Sequence, residues 1–372
     1  MKNTRLTKKF ILLLLLGFCA SCSKQIKDNN SNIFTIPVNI KDDVLVLSKI
    51  ADSIRYIPLS NDLLLRDINT LKVDKQGAFY ITDSKGDGVF KFDKDGHFVC
   101  QISSRGQGSE EYINISDIDL YQDQISFCNG SNSILYFDLE GNFLKRRKLS
   151  DNWIFTVSSG DTIYGSNCRT LTTIIGEKEN VYSFDTPEET LLSMHSTHFT
   201  RNGSQIYWED LFNDTIYNIN KGVPSPFVYI DFGEMKLPED IIRNNEIYSN
   251  SEITHYCTDI NGFRISDYYM FFSFSLAKHS YSCLYNRKNN SVYTFLYINN
   301  DIDNMPLGAW IMAISSKKLY SYIPMDLLSA YYSGIKNSKK EEDKKTVNNI
   351  EKLLGKVPDE MDNPVLVEIT CK

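Results

Sequence analysis

Several signatures of established chemistry are missing from this chain of 372 residues. It has no Gly-x-Ser-x-Gly elbow, no His-Glu-x-x-His pair and no Gly-rich loop of the phosphate-cradling kind. Elbow-type hydrolase, zincin and P-loop chemistry therefore have no foothold. No Cys-x-x-Cys pair occurs beyond residue 22, which removes the usual zinc framework. No Pro/Ser linker interrupts the chain after residue 33, so nothing splits it into separate domains. Histidine is scarce at five. His195 and His198 lie in a loop-like stretch with no accompanying acid and read as surface residues. No catalytic residue, metal ligand or cofactor is expected.

Long apolar runs are equally scarce. Phe10 to Phe18 is far shorter than the roughly 20 residues a membrane-spanning helix needs. It follows Lys2, Arg5, Lys8 and Lys9 and ends in Cys19-Ala20-Ser21-Cys22, the layout of an export leader. The small residues before Cys22 resemble the lipobox of bacterial lipoproteins, although Cys19 stands where Leu is commonest. That resemblance implies cleavage after Ser21 and a lipid on Cys22; a plain secretory cut near Ser21 is the alternative. Residues 1–21 are thus expected to be a leader, and 22–33, polar and poor in apolar side chains, a flexible tether. Loss of the four leader cations takes the formal net charge from −7 to −11. An acidic surface keeps a tethered domain soluble and argues against nucleic acid or anionic lipid as partners. The expected location is the cell envelope, at the outer membrane, with the lipid as the membrane contact.

What the chain does have is a repeat. Phe92-Asp93-Lys94-Asp95-Gly96-His97-Phe98 returns 45 residues later as Phe137-Asp138-Leu139-Glu140-Gly141-Asn142-Phe143. Short alternating strands surround both copies, and weaker copies follow through Thr162, Gln205, Thr215, Tyr268 and Trp310 to Ile369. Strand-only repeats of about 40–50 residues build propeller blades. The expected fold is all-β, a six-bladed β-propeller over 34–372, closed by pairing the strand near Ile54 with that near Val367. One segment breaks the pattern. Val347, Ile350, Leu353 and Leu354 share a helical face behind a charge run from Lys339, so a short helical insertion is expected in the last blade, about 339–356.

The acidic Gly turns lack the further oxygen ligands of a calcium loop, and Asp83 to Gly88 carries Lys85 at a ligand position. They read as hairpin corners, with Asp opening the turn and Gly taking positive φ. Arg105-Gly106-Gln107-Gly108-Ser109-Glu110-Glu111-Tyr112 is the most distinctive loop. With the opening from Leu47 to Leu59, it resembles the exported six-bladed propeller lipoproteins of Bacteroidetes-type bacteria and, more remotely, NHL repeats. Ser109 and Glu110 replace the Pro and Gly usual in that family. The resemblance implies the propeller and brings no catalytic residues with it. The loop reads either as a connector with Tyr112 packed between blades or as part of a binding face. In the second case Arg105, Gln107, Glu110, Asp87 and Asn132 would line one polar pocket near the channel.

Asp-Ser/Thr-apolar tripeptides at Ser53, Thr162 and Thr215 resemble the periplasmic O-glycosylation acceptor of such bacteria, and equally suit a turn entering a strand. Cys100, Cys128, Cys168, Cys257, Cys283 and Cys371 allow 15 pairings; the strand-like settings of most favour buried thiols. The functional expectation is a binding module for a glycan, peptide or envelope protein. The alternatives are an envelope lyase or hydrolase with its site at the channel mouth, and a scaffold docking through the 339–356 helix.

Overall fold

In the computed structural model the chain forms six small antiparallel sheets arranged as a six-bladed β-propeller. The structure describes residues 24–25, 33–40, 43–65, 67–83, 88–115, 117–130, 132–149, 155–166, 170–183, 199–210, 213–244 and 251–372. Cys22, Asp87 and Cys168 lie outside them. Blade one comprises Ile68–Val73, Phe79–Asp83, Gly88–Phe92 and Phe98–Ser104; blade two comprises Asp119–Tyr121, Gln124–Cys128, Ser133–Asp138 and Phe143–Lys148. Blade three holds Phe155–Ser159, Thr162–Ser166, Thr170–Ile175 and Lys178–Ser183, and blade four Phe199–Asn202, Gln205–Trp208, Thr215–Asn220 and Val223–Asp231. Blade five holds Thr258–Ile265, Tyr269–Leu276, His279–Asn286 and Val292–Phe295. Blade six is assembled from both halves of the chain: Ala313–Ser315, Lys318–Ile323, Val365–Cys371 and Ala51–Pro58. The closing register sets Val367 opposite Tyr56 and Ile369 opposite Ile54, as expected.

Burial follows a strand's place in its blade. Phe79–Asp83, a second strand enclosed by its neighbours, is buried at all its positions. Phe143–Lys148, the outer strand of blade two, is largely exposed and carries Lys145, Arg146, Arg147 and Lys148. A charged edge of this kind blocks pairing with another chain. Blades four and five have their rims covered by the start of the fold. Phe34–Pro37 pairs in parallel with the outer strand of blade four, and Val44–Val46 pairs with Tyr297–Asn299, which follows blade five.

The core lies between blades. Tyr80, Ile102, Tyr112, Phe127 and Phe137 bring blades one and two together, and Phe127 stacks on Phe137 at 5.6 Å. The largest cluster joins blades five and six and takes in Leu328, Tyr332 and Ile350 from two helices, Met325–Ile335 and Glu341–Leu354. The second is the expected insertion: Ile350 is buried, Val347, Leu353 and Leu354 pack beside it, and Gly355 ends the helix at φ 68°. The first was not foreseen. It starts after Pro324, with Asp326 in its first turn, a helix-start pattern hidden by strand-favouring tyrosines. The insertion is therefore a helical pair. No described helix is long and apolar enough to cross a membrane.

Antiparallel order fixes which loops share a face. Turns after the first and third strands of a blade form one face; turns after the second strand and crossings between blades form the other. Both acidic repeats are third-strand turns. In each, one Asp oxygen accepts two backbone amides: Asp93 from Asp95 and His97 at 2.8 and 2.9 Å, Asp138 from Glu140 and Asn142 at 3.0 and 2.8 Å. Gly96 and Gly141 take φ near +90°, and a Cβ on Gly96 would meet the Pro58 carbonyl oxygen at 2.3 Å. Cys100, Cys257, Cys283 and Cys371 are free thiols, and Cys128 is buried.

Candidate functional site at the channel mouth

The first strands of all six blades line a central channel. Such strands face their own counterparts rather than a neighbouring sheet, so polar side chains there must pair across the ring or cost the fold dearly. The channel meets that demand blade by blade. Lys72 of blade one reaches Asp117 at 3.1 Å. Asp119 of blade two takes both Nε and Nη2 of Arg201 of blade four, at 3.0 and 2.8 Å. Arg201 Nη2 also donates to the Ser158 carbonyl of blade three at 2.7 Å. The Thr200 hydroxyl donates to the Phe263 carbonyl of blade five, and Arg264 Nε donates to the Met312 carbonyl, before blade six, at 3.1 Å.

Arg201 is the hub. Its side chain is 9% exposed and that of Asp119 5%, so the bidentate pair is shielded from water. Its guanidinium lies over the Tyr121 ring at 4.0 Å. Among the described residues, its Nη1 has no acceptor. Towards the opposite end of the channel, Glu209 is buried and accepts from the Gly262 and Phe263 amides at 3.1 and 3.0 Å. Burial pushes its carboxyl up to about 8, against the pull of the Arg264 guanidinium and the two amides. Burial likewise lowers the Arg264 pKa, opposed by Asp117 and Glu209.

Two cavities meet at Arg201. One, about 130 Å³, lies inside the channel between Lys72, Asp119, Arg201 and Arg264. The other, about 400 Å³, is the channel mouth on the face of the first-strand turns. Its rim carries neutral hydrogen-bonding groups, Gln76, Gln122, Asn202, Ser204 and Ser316, with the Tyr121 ring, and beside them Asp74, Lys75 and Asp123. Gln122 and Asp123 hold φ of 49° and 59°, the left-handed turn that brings them to the rim. No cluster of three metal-ligating side chains occurs among the described residues.

Arg105, Gln107, Glu110 and Asn132 are exposed. None lines either channel cavity. Glu110 alone of them borders a shallow cleft of about 410 Å³ beside Gln101, Ser104 and Phe137. Loop 105–112 is tied largely to itself. Gly106 N donates to the Tyr112 carbonyl at 2.9 Å, and Gly108 N to the Glu111 carboxylate at 2.8 Å. Arg146 reaches the Gly108 and Glu111 carbonyls at 3.3 Å, and Tyr112 is wholly buried, edge-on to Phe127. Ser53 is exposed on the outer strand of blade six, and Thr162 is half-buried at a strand start. Thr215 is 1% exposed, so a glycan there would have to be attached before folding. Sequence reading missed Lys72, Asp119, Arg201, Arg264 and Glu209; the available signal was a lone charge set in or beside an apolar strand.

The family described as Domain of unknown function (DUF4934) matches residues 32–370, and the chain belongs to it. No curated protein matches the sequence. Among solved structures it is similar to a Bacteroides fragilis protein whose given name infers export, at 16% identity and TM-score 0.70, covering 92% of this chain and 100% of that one. It is also similar to a DUF4221 family member from Bacteroides vulgatus, at 9% identity and TM-score 0.49, covering 87% and 97% of the two chains. Virginiamycin B lyase from Staphylococcus aureus is similar at 13% identity and TM-score 0.41, covering 72% of this chain and 81% of that one. The first of these likenesses shows the shared fold.

Proposed function

We propose that this DUF4934 chain is an exported ligand-binding module of the cell envelope, anchored through lipid on Cys22, which takes a polar ligand at the channel mouth. One observation carries the choice of site: Arg201, whose charge is already matched by Asp119, lines both cavities, and its Nη1, buried in the resting protein, has no acceptor among the described residues. A neutralised guanidinium with donors to spare suits hydroxyl and carbonyl oxygens, and the amide and hydroxyl rim extends the same chemistry outward. The basic leader, the lipobox-like Cys22 and the acidic charge of the chain support export and anchoring.

The test is a glycan and peptide array on the purified chain, with turnover assayed on every hit. Asn202→Ala, at the half-buried end of strand Phe199–Asn202, and Gln76→Ala, on an exposed turn, are expected to weaken a true hit about 5–10-fold, the worth of one or two lost hydrogen bonds. A hit indifferent to both variants would place binding elsewhere, and turnover would favour the lyase or hydrolase reading. Membrane retention of Cys22→Ala would overturn the anchor.

A further inference from the structure

Beside the channel mouth, on the same face, lies a second pocket of about 400 Å³ between blades five and six. The two are separated only by turns that line both: Ser266 and Ser316 face the mouth, while Tyr268 and Lys317 face the second pocket. Lys49, Lys288, Lys317 and Lys372 surround it; among the described residues no Asp or Glu side chain lines it, and the main-chain oxygen of Lys372 accepts from the Tyr269 hydroxyl at 3.2 Å. That concentration is unusual on a chain of net charge −7. Lys372 is tethered to the Ser48 carbonyl at 2.6 Å and lies near Asp301, which Ser48 holds. Lys49, Lys288 and Lys317 form no ion pair among the described residues. Instead Lys288 and Lys317 both rest over the Tyr268 ring, at 5.0 and 5.3 Å. Asp267, next to that ring, bonds Asn202 at 3.1 Å on the mouth side.

Two like charges on one ring, neither in an ion pair among the described residues, repel each other in the resting protein and gain when an anion enters. We propose that this pocket is an oxyanion subsite, and that the ligand of the channel mouth is an oligosaccharide carrying sulfate or carboxylate groups. The inference rests on the reading of the mouth as a binding site. The saccharide part follows from the hydroxyl- and amide-lined mouth, the anionic part from the unpaired lysines, and their adjacency asks for one ligand bearing both. The concave shape and polar rim suit a chain of sugars rather than a flat lipid surface.

The experiment titrates the full chain with matched probes: dextran sulfate against dextran, and oligogalacturonate against its methyl ester. Inorganic sulfate and phosphatidylglycerol vesicles serve as further arms. In at least one pair the charged member is expected to bind at least 10-fold tighter, with the advantage shrinking as salt rises. Lys288→Glu with Lys317→Glu should erase that advantage without shifting the melting temperature, while Lys145→Glu with Lys148→Glu on the blade-two edge should leave it intact. Equal binding within both pairs, an advantage that survives the first double variant, or binding to vesicles or sulfate alone would overturn the proposal. A neutral array hit that depends on Asn202 but not on Lys288 and Lys317 would overturn it too, while leaving the channel-mouth reading standing.

Discussion

The two faces of this propeller use their polar groups in opposite ways. On the connector face, loop 105–112 spends its polar groups on itself and on Arg146, and it buries Tyr112 between blades. On the turn face, among the described residues, the buried Nη1 of Arg201 below the mouth has no acceptor, and Lys49, Lys288 and Lys317 of the neighbouring pocket form no ion pair. The more distinctive sequence belongs to the connector face. Gly106 leaves room for the carboxylate that accepts from Gly108 N: a Cβ on Gly106 would come within 1.9 Å of the Glu111 carboxylate. Distinctive spacing therefore marks a loop that satisfies its own backbone. Recognition chemistry is better sought where satisfaction is incomplete.

The largest effect that could break this comparison lies at Arg201. Arg201→Gln leaves Asp119, 5% exposed, as a buried charge without its bidentate partner. Removing one member of such a pair costs about 3–5 kcal/mol, whereas replacing both by apolar groups is often neutral. Urea unfolding should show that loss in the single variant and recovery of most of it in Asp119→Leu with Arg201→Met. A single-variant cost below about 1 kcal/mol would mean the pair is solvated, and the contrast between faces would lose its main support.

Much of the architecture was legible from strand-level chemistry. The Asp and Gly of the two acidic turns act on their own backbones, so their roles can be read within a few residues. The closure of Ile54 with Val367 could be argued because terminal strands that read as buried need a partner. Helix Glu341–Leu354 showed its apolar face directly, whereas Met325–Ile335 was masked by its tyrosines. The channel was not legible in this way. Arg201 meets an aspartate 82 residues earlier in the chain, and Lys72 meets one 45 residues later. Which face of a first strand turns towards the axis is decided by ring closure, so a lone Lys or Arg in such a strand looks like an ordinary solvent-facing residue.

An intermediate effect tests the connector end of the channel through pH. Glu209 has a folded pKa raised by burial to about 8, from an ordinary value of 4.5. Between those values the folded chain binds more protons at this site than the unfolded chain, so stability must fall as pH rises. The slope approaches about 1.4 kcal/mol per pH unit for one fully differing proton. Glu209→Gln also disturbs an amide contact and lowers stability at pH 5, but it should flatten the decline between pH 5 and 8. Unfolding midpoints across that range, wild type against variant, would show it. An unchanged slope would mean that Glu209 is ionised in the fold and that its Arg264 neighbour holds it so.

The smallest expected effect sharpens the comparison most. Arg105, Gln107 and Glu110 are exposed, and the hydrogen bonds that shape their loop run through main-chain groups and Glu111. Replacing all three by Ala removes side chains that the loop does not lean on, so stability should move by no more than about 0.5 kcal/mol, the usual range for exposed positions. Affinity for any hit from the array should stay within twofold, while Asn202→Ala on the opposite face weakens it. If the triple variant abolishes binding at unchanged unfolding midpoint, recognition belongs to the connector face. The self-satisfied loop would then be a rigid platform that presents its exposed side chains to a ligand.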